Sequence, residues 1–215
     1  LSELNPFVLS RLERRFRDVP NMLSRSVGRR VTALAMEEHE EWAEVQTRED
    51  WEEYRDKRMN FLRTSFGDFP ETRTPLQIRV TGVYYGPGYQ VQNIVYQSRP
   101  GVFVPANLYL PLKPEQQIPA IIINPGHGMP KTQEVNKDCG TIWARAGCAV
   151  LVPEKVGHGE RIETLPWNMQ AYYAEELHDM QLGLIGQSRQ GWIAWDISRA
   201  VHLLLELGYV DPHKI

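Results

Sequence analysis

The chain has 215 residues, enough for one domain with a sizeable core or one and a half, and a formal net charge of −3. That charge argues against a dedicated nucleic-acid binder, and no apolar run approaches the roughly 20 residues of a membrane span. The two cysteines, Cys139 and Cys148, lack C-x-x-C spacing, so neither a zinc site nor a disulfide framework is indicated.

Residues 1–70 read as polar and helical, an N-terminal cap or arm ahead of a domain over 71–215. Asn5-Pro6 and Pro20-Asn21 punctuate its start, and a helical pattern runs from Ser24 through Met36, Trp42 and Trp51 to Leu62. Thr47-Arg48-Glu49-Asp50 supplies an N-cap with acidic residues in the first turn, which splits the region into two helices. The interleaved Glu and Arg describe a solvated helix face, since such i,i+4 pairs contribute only about 0.2–0.5 kcal/mol each. No signal-peptide pattern opens the chain. Leu1 in place of Met fits a removed leader or a trimmed chain, and the lean is to an exported protein, periplasmic or extracellular.

Pro70 and Pro75 bound a linker, after which the apolar period changes from helical to alternating. Leu76 to Tyr85, the turn Gly86-Pro87-Gly88 and Val91 to Tyr96 predict a β-hairpin. Ser98-Arg99-Pro100-Gly101 makes the next turn, and Val102 to Leu110 a third strand. Ile121-Ile122-Ile123 is β-branched and free of charge, the pattern of a strand buried on both faces; a central parallel strand over 119–124 is expected. Thr132 to Ala146 reads as a helix, closed by Gly147, and Cys148 to Val152 as the strand completing a β-α-β unit. A loop around Pro166-Trp167-Asn168 leads to a short helix from Gln170 to Leu182. Leu182 to Ile185 then make a short strand at best. Gln190 to Leu207 is the last helix, closed by Gly208, and Val210 to Ile215 leads toward another strand.

The chemistry concentrates where two strands break into glycine turns, Pro125-Gly126-His127-Gly128-Met129 and Pro153-Glu154-Lys155-Val156-Gly157-His158-Gly159. Open α/β sheets bind ligands beyond the carboxyl ends of their strands, which places both turns on the functional edge. His127, His158, Glu154 and Glu160 are suitable metal ligands, but no fixed spacing holds them on one face, and a role in the turns is the plainer reading. Asp196 and Arg199, three apart on the last helix, read as an ion pair. Gly186-Gln187-Ser188-Arg189-Gln190-Gly191 has a serine between glycines, yet its spacing is Gly-x-Ser-x-x-Gly rather than the Gly-x-Ser-x-Gly of a nucleophile elbow.

Several phrases in this order carry a family resemblance: Ser98-Arg99-Pro100-Gly101, Ala106-Asn107-Leu108-Tyr109-Leu110-Pro111, the two Gly-His-Gly turns, then Trp192, Asp196, Arg199-Ala200 and Val210-Asp211-Pro212. The stretch from about 75 to 215 resembles the α/β-hydrolase superfamily, in its acetyl-xylan-esterase and dienelactone-hydrolase-like branch. The resemblance implies an antiparallel meander running into parallel strands, with the helical arm in front. It implies a serine-type carboxylic ester hydrolase that deacetylates carbohydrate or a similar small ester, with no cofactor, metal, nucleic acid or membrane. Met129 would supply one N–H of the oxyanion hole, Gly128 would permit the close approach, and His127 would support the loop. Trp167 is the candidate substrate-binding residue.

In that family the strand after Val-Asp-Pro-x-x-Ile carries the nucleophile, and acid and histidine follow. The resemblance therefore places the triad beyond Ile215, in a C-terminal portion supplied as a second chain or a missing segment. It also places a strand beginning at Ile215 beside the one at Ile121. Three alternatives stand beside this reading. One is a glucuronoyl-esterase-like enzyme with Ser188 as nucleophile, and another a non-catalytic glycan-binding or scaffold relative. The third is a prolyl-oligopeptidase-type peptidase, for which the chain shows no propeller repeats.

Overall fold

The computed structural model describes residues 21–114, 117–162 and 171–215. The described residues divide into two compact units, with the boundary between Phe61 and Leu62. In the first, α1 (Met22–Ala43) is followed by α2 (Arg48–Phe66), whose last turn belongs to the second unit. The break falls where the Thr47 signal puts it. Thr47 Oγ1 accepts the N–H of Asp50 at 3.1 Å, and Asp50 Oδ2 accepts the N–H of Thr47 at 2.9 Å. Two amides that a bare helix start would leave unpaired are thereby satisfied. The two helices meet through Trp42, edge-on to Trp51 at 6.0 Å, and through Glu38 and Glu41 on Arg58 and Lys57. Hydrogen bonding from Arg58 holds the Glu38 carboxyl down to about 2.

The second unit is built on a five-stranded sheet among the described residues. Its strands are β1 (Arg79–Gly86), β2 (Tyr89–Arg99), β3 (Val102–Pro111), β4 (Ala120–Ile122) and β5 (Ala149–Pro153), in the spatial order β1-β2-β3-β5-β4. The first three form the expected meander, β3 meets β5 antiparallel, and β4 pairs with β5 in parallel. Between β4 and β5 runs α3 (Glu134–Arg145), followed by Gly147 at φ +97. Next come α4 (Ala171–Leu184) and α5 (Arg189–Glu206).

Period-two alternation sorts the sheet's side chains onto two faces. Ala149 and Leu151 of β5 join Val104, Ala106, Leu108 and Leu110 of β3 in a core that includes Ala200, Leu203 and Leu204 of α5. Val150 and Val152 point the other way, with Tyr109, Ala144 and Cys148. Cys139 and Cys148 are both free thiols, and burial pushes that of Cys148 up. No helix among the described residues is long and apolar enough to cross a membrane.

One expectation needs correction. The strand at Ile121 is not buried on both faces: β4 is three residues long, and Ile121, Ile122 and Ile123 are half-buried. The strand with every residue buried is β5, which has β3 on one side and β4 on the other. Among the described residues, the outer side of β4 is met by the backbone of residues 209–214. The Ile118 N–H donates to Tyr209 O at 2.9 Å, that of Asp211 to Ile118 O at 2.8 Å, and that of Ala120 to Lys214 O at 2.8 Å. A strand with one partner and one thin bridge keeps part of its side-chain surface open. The end of the described chain therefore runs alongside β4, in the same direction.

Candidate active site

Because β4 and β5 are parallel neighbours, their C-terminal ends bring the two glycine turns side by side. Four hydrogen bonds then fasten one turn to the other. The Gly128 N–H donates to His158 Nε2 at 3.0 Å, and the Lys155 ammonium to Gly126 O at 2.7 Å. The N–H and the ammonium of Lys131 donate to the two oxygens of Glu154, at 2.9 and 3.2 Å. Glu154 and Lys131 are buried, and Glu160 pairs with the same ammonium from the solvent side. A buried carboxylate with one backbone amide and one ammonium as donors offsets a desolvation cost that an unpaired one would not. Gly159 is required beside it: its φ is +48, and a Cβ there would sit 2.1 Å from Glu154 Oε2.

A second carboxylate, Glu175 of α4, is 5 % exposed and gathers partners from three distant segments. It lies 2.7 Å from His158 Nε2, 3.1 Å from His127 Nδ1 and 3.1 Å from Arg189 Nη1. The same His158 Nε2 therefore faces the Gly128 N–H and the Glu175 carboxylate. One ring nitrogen cannot accept from the first and donate to the second. A proton on Nδ1, which is 3.3 Å from Val156 O, leaves Nε2 to accept from Gly128. A proton on Nε2 gives Glu175 its bond and releases the Gly128 amide. Burial holds the His158 pKa below its usual value, and burial likewise lowers that of Lys155.

His127, Gly128 and Met129 all lie on the first turn. The Gly128 φ is +66, the left-handed conformation that a glycine adopts without strain. The Met129 N–H closes a long turn bond to Gly126 O at 3.3 Å. The four side chains weighed as a metal cluster are divided instead: Glu154 and Glu160 go to Lys131, His127 and His158 to Glu175. Trp167 lies outside the described residues.

No protein-family model and no curated protein sequence matches this chain. Solved structures do. A candidate acetyl xylan esterase from Bacteroides fragilis aligns with a TM-score of 0.65 at 13% identity, over 78% of this chain and 46% of its own. An acetyl xylan esterase from Paenibacillus sp. R4 aligns with a TM-score of 0.50 at 17% identity, over 71% of this chain and 53% of its own. The chain has the α/β-hydrolase fold. It spans about half the length of the solved structures it matches.

Within the α/β-hydrolase fold, the Gly-x-Ser-x-x-Gly phrase does not form an elbow. A helix, not a short strand, precedes it: α4 runs to Leu184, and Ile185 and Gly186 turn back on its last carbonyls. Ser188 is the N-cap of α5, its Oγ accepting the Gly191 N–H at 3.0 Å and donating to Phe66 O at 3.0 Å. Leu182–Leu184 stay helical and Ile185 turns, because the Leu182 and Gly183 carbonyls close i,i+3 and i,i+5 bonds in place of strand pairing.

The expected ion pair between Asp196 and Arg199 is also absent. Asp196 accepts from Ser98 Oγ and, at 2.7 Å, from Arg161 Nη1, while Arg199 donates to Thr74 O. Both side chains are buried, so each takes the partner that the packed surface presents. Sequence reading missed Glu175, Lys131, Arg161 and Ser98. Local spacing carries no signal for them, because each of these side-chain partners lies 14 or more residues away.

Proposed function

We propose that this chain forms part of a carbohydrate ester hydrolase and supplies its oxyanion loop. The observation that carries the reading is the pair of glycine turns, fastened together beyond β4 and β5 in an α/β-hydrolase fold. The similarity to acetyl xylan esterases supports the substrate class. In this reading the Met129 N–H leaves its 3.3 Å turn bond for the oxygen of the tetrahedral intermediate, and the Gly128 amide stands next to it. Aimed amides of this kind contribute about 2.7–4 kcal/mol each to an acyl-transfer transition state. His127, held by Glu175, supports the loop. The attacking serine comes from polypeptide other than residues 1–215. Ser188 and Ser98 are both committed, one as a helix cap and one to Asp196. Histidine would take the serine proton and return it to the departing alcohol, as in other serine esterases.

A second reading has its own observation. The Gly128 and Met129 amides are both engaged within the protein, the arrangement a non-catalytic glycan binder of this fold would show.

Acetate release from acetylated xylo-oligosaccharide, with and without a fluorophosphonate, separates the two. The hydrolase reading expects release that the probe abolishes, in the Ser188→Ala variant as in the native protein. That variant should lose stability alone, about 0.5–2 kcal/mol for the cap, together with the bond to Phe66 O. A probe adduct on the peptide holding Ser188 would move the nucleophile to it, and absence of release would favour the binder.

A further inference from the structure

The second turn borders a cleft of about 580 Å³ between α4, α5 and the bend joining β2 to β3. That volume lies inside the roughly 300–1,000 Å³ of small-molecule sites. Val156 and Arg161 line it, so it adjoins the second glycine turn rather than a remote face. Its aromatic walls are Trp192 and Phe103, the latter 39% exposed.

Trp192 is held in place at two points. Its Nε1 donates to Gln187 Oε1 at 2.7 Å, and the guanidinium of Arg99 lies over the ring, 4.4 Å from its centroid. Arg99 is buried, and its Nε and Nη2 have no hydrogen-bond partner. A buried cation with unpaired N–H groups is costly, and stacking on an indole offsets only part of that cost. What the arrangement gains is an indole fixed at one edge and over one face, unable to swing inward and fill the cleft. A platform set in advance spares a ligand the cost of ordering it.

We propose that this cleft binds the sugar ring on the alcohol side of the ester, an inference that rests on the esterase reading above. The apolar walls suit the C–H face of a pyranose. His178 and Gln181 bring polar groups to the hydroxyl edge. Arg161 is paired with Asp196, and Glu160 shares the Lys131 ammonium with Glu154, so no unpaired cation among the described residues lines the cleft and the ring bound is neutral rather than anionic.

The test uses the whole chain with ¹⁵N-labelled indoles, Trp192 being assigned by the signal missing in Trp192→Phe. Methyl β-D-xylopyranoside is titrated in, and 4-nitrophenol serves as a hydroxyl-poor ring. The expected result is a saturable shift of the Trp192 indole with the xyloside while that of Trp143, on α3, stays still. Phe103→Ala, at a partly exposed position, should weaken binding roughly tenfold, or about 1.4 kcal/mol. An unmoved Trp192, equal affinity in Phe103→Ala, or a response to 4-nitrophenol alone would overturn the proposal. Acetate release is read separately, on the natural protein that carries the attacking serine as well as residues 1–215. Xyloside binding without release leaves the subsite standing and removes the esterase; release with an unmoved Trp192 does the reverse.

Discussion

Replacing Asp196 by alanine is expected to lower unfolding free energy by about 3–5 kcal/mol, the range for a buried ion pair that loses one partner. The carboxylate is 5 % exposed and holds Arg161 at 2.7 Å and the hydroxyl of Ser98. Arg161 also donates to the Glu154 carbonyl, so its position fixes the second glycine turn. Arg99 lies within the field of the same carboxylate, which opposes the effect of burial on its charge. Removing Asp196 leaves two buried guanidiniums without an anion and Ser98 without its acceptor. Asp196→Asn keeps an acceptor for Ser98 and loses the charge, so it should fall between the two. Urea unfolding measures both. A loss under about 1 kcal/mol in Asp196→Ala would show that the guanidiniums reach solvent.

Acidification is expected to release the Gly128 amide and destabilise the fold through His158. Burial keeps the folded-state pKa of this imidazole below the unfolded value of about 6.5. The sign follows from proton binding: between those two values the unfolded chain holds more protons, so stability falls as pH falls. The contribution is complete above about 6.5 and lost as pH drops through the folded-state value. The groups facing the ring are Glu175 from α4, Glu154 and Lys155 on its own turn, and the first turn's amide. In the imidazolium both nitrogens carry protons, Nε2 turns to Glu175, and Gly128 loses its acceptor. Imidazole ¹⁵N shifts and the Gly128 amide signal, followed against pH, should move together below about 6.5. His158→Gln should flatten the acid limb of stability. A His158 that titrates at or above 6.5, or a Gly128 amide that ignores it, would refute this account.

Local rules made much of this molecule legible. Thr47 with Asp50 marks a helix start because both partners lie within one turn. Gly86-Pro87-Gly88 marks a hairpin because turn chemistry is local too. Gly147 and Gly208 stand at φ +97 and +75 just past helix ends. The strand at Ile121 was misjudged because a charge-free run reports apolarity without saying which neighbours will cover it. Asp196 and Arg199 were paired on helical spacing alone, a rule for exposed faces that fails inside a core, where long-range partners compete. Glu175 left no trace for the same reason: His127, His158 and Arg189 come together only once the sheet and both helices have formed.

Glu175 has one further consequence, for the order in which this edge comes apart. Among the described residues of its helix, Leu177, Met180 and Leu184 are exposed to solvent, so little apolar burial holds that part of α4 down. Segments of that kind open locally at a free energy well below that of global unfolding. When α4 opens, His127, His158 and Arg189 lose their shared anion in the same event. The two glycine turns then loosen together as one cooperative unit, while β3, β5 and α5 keep their packing. Proteolytic nicking in α4 would thus disarm the edge without melting the sheet beneath it.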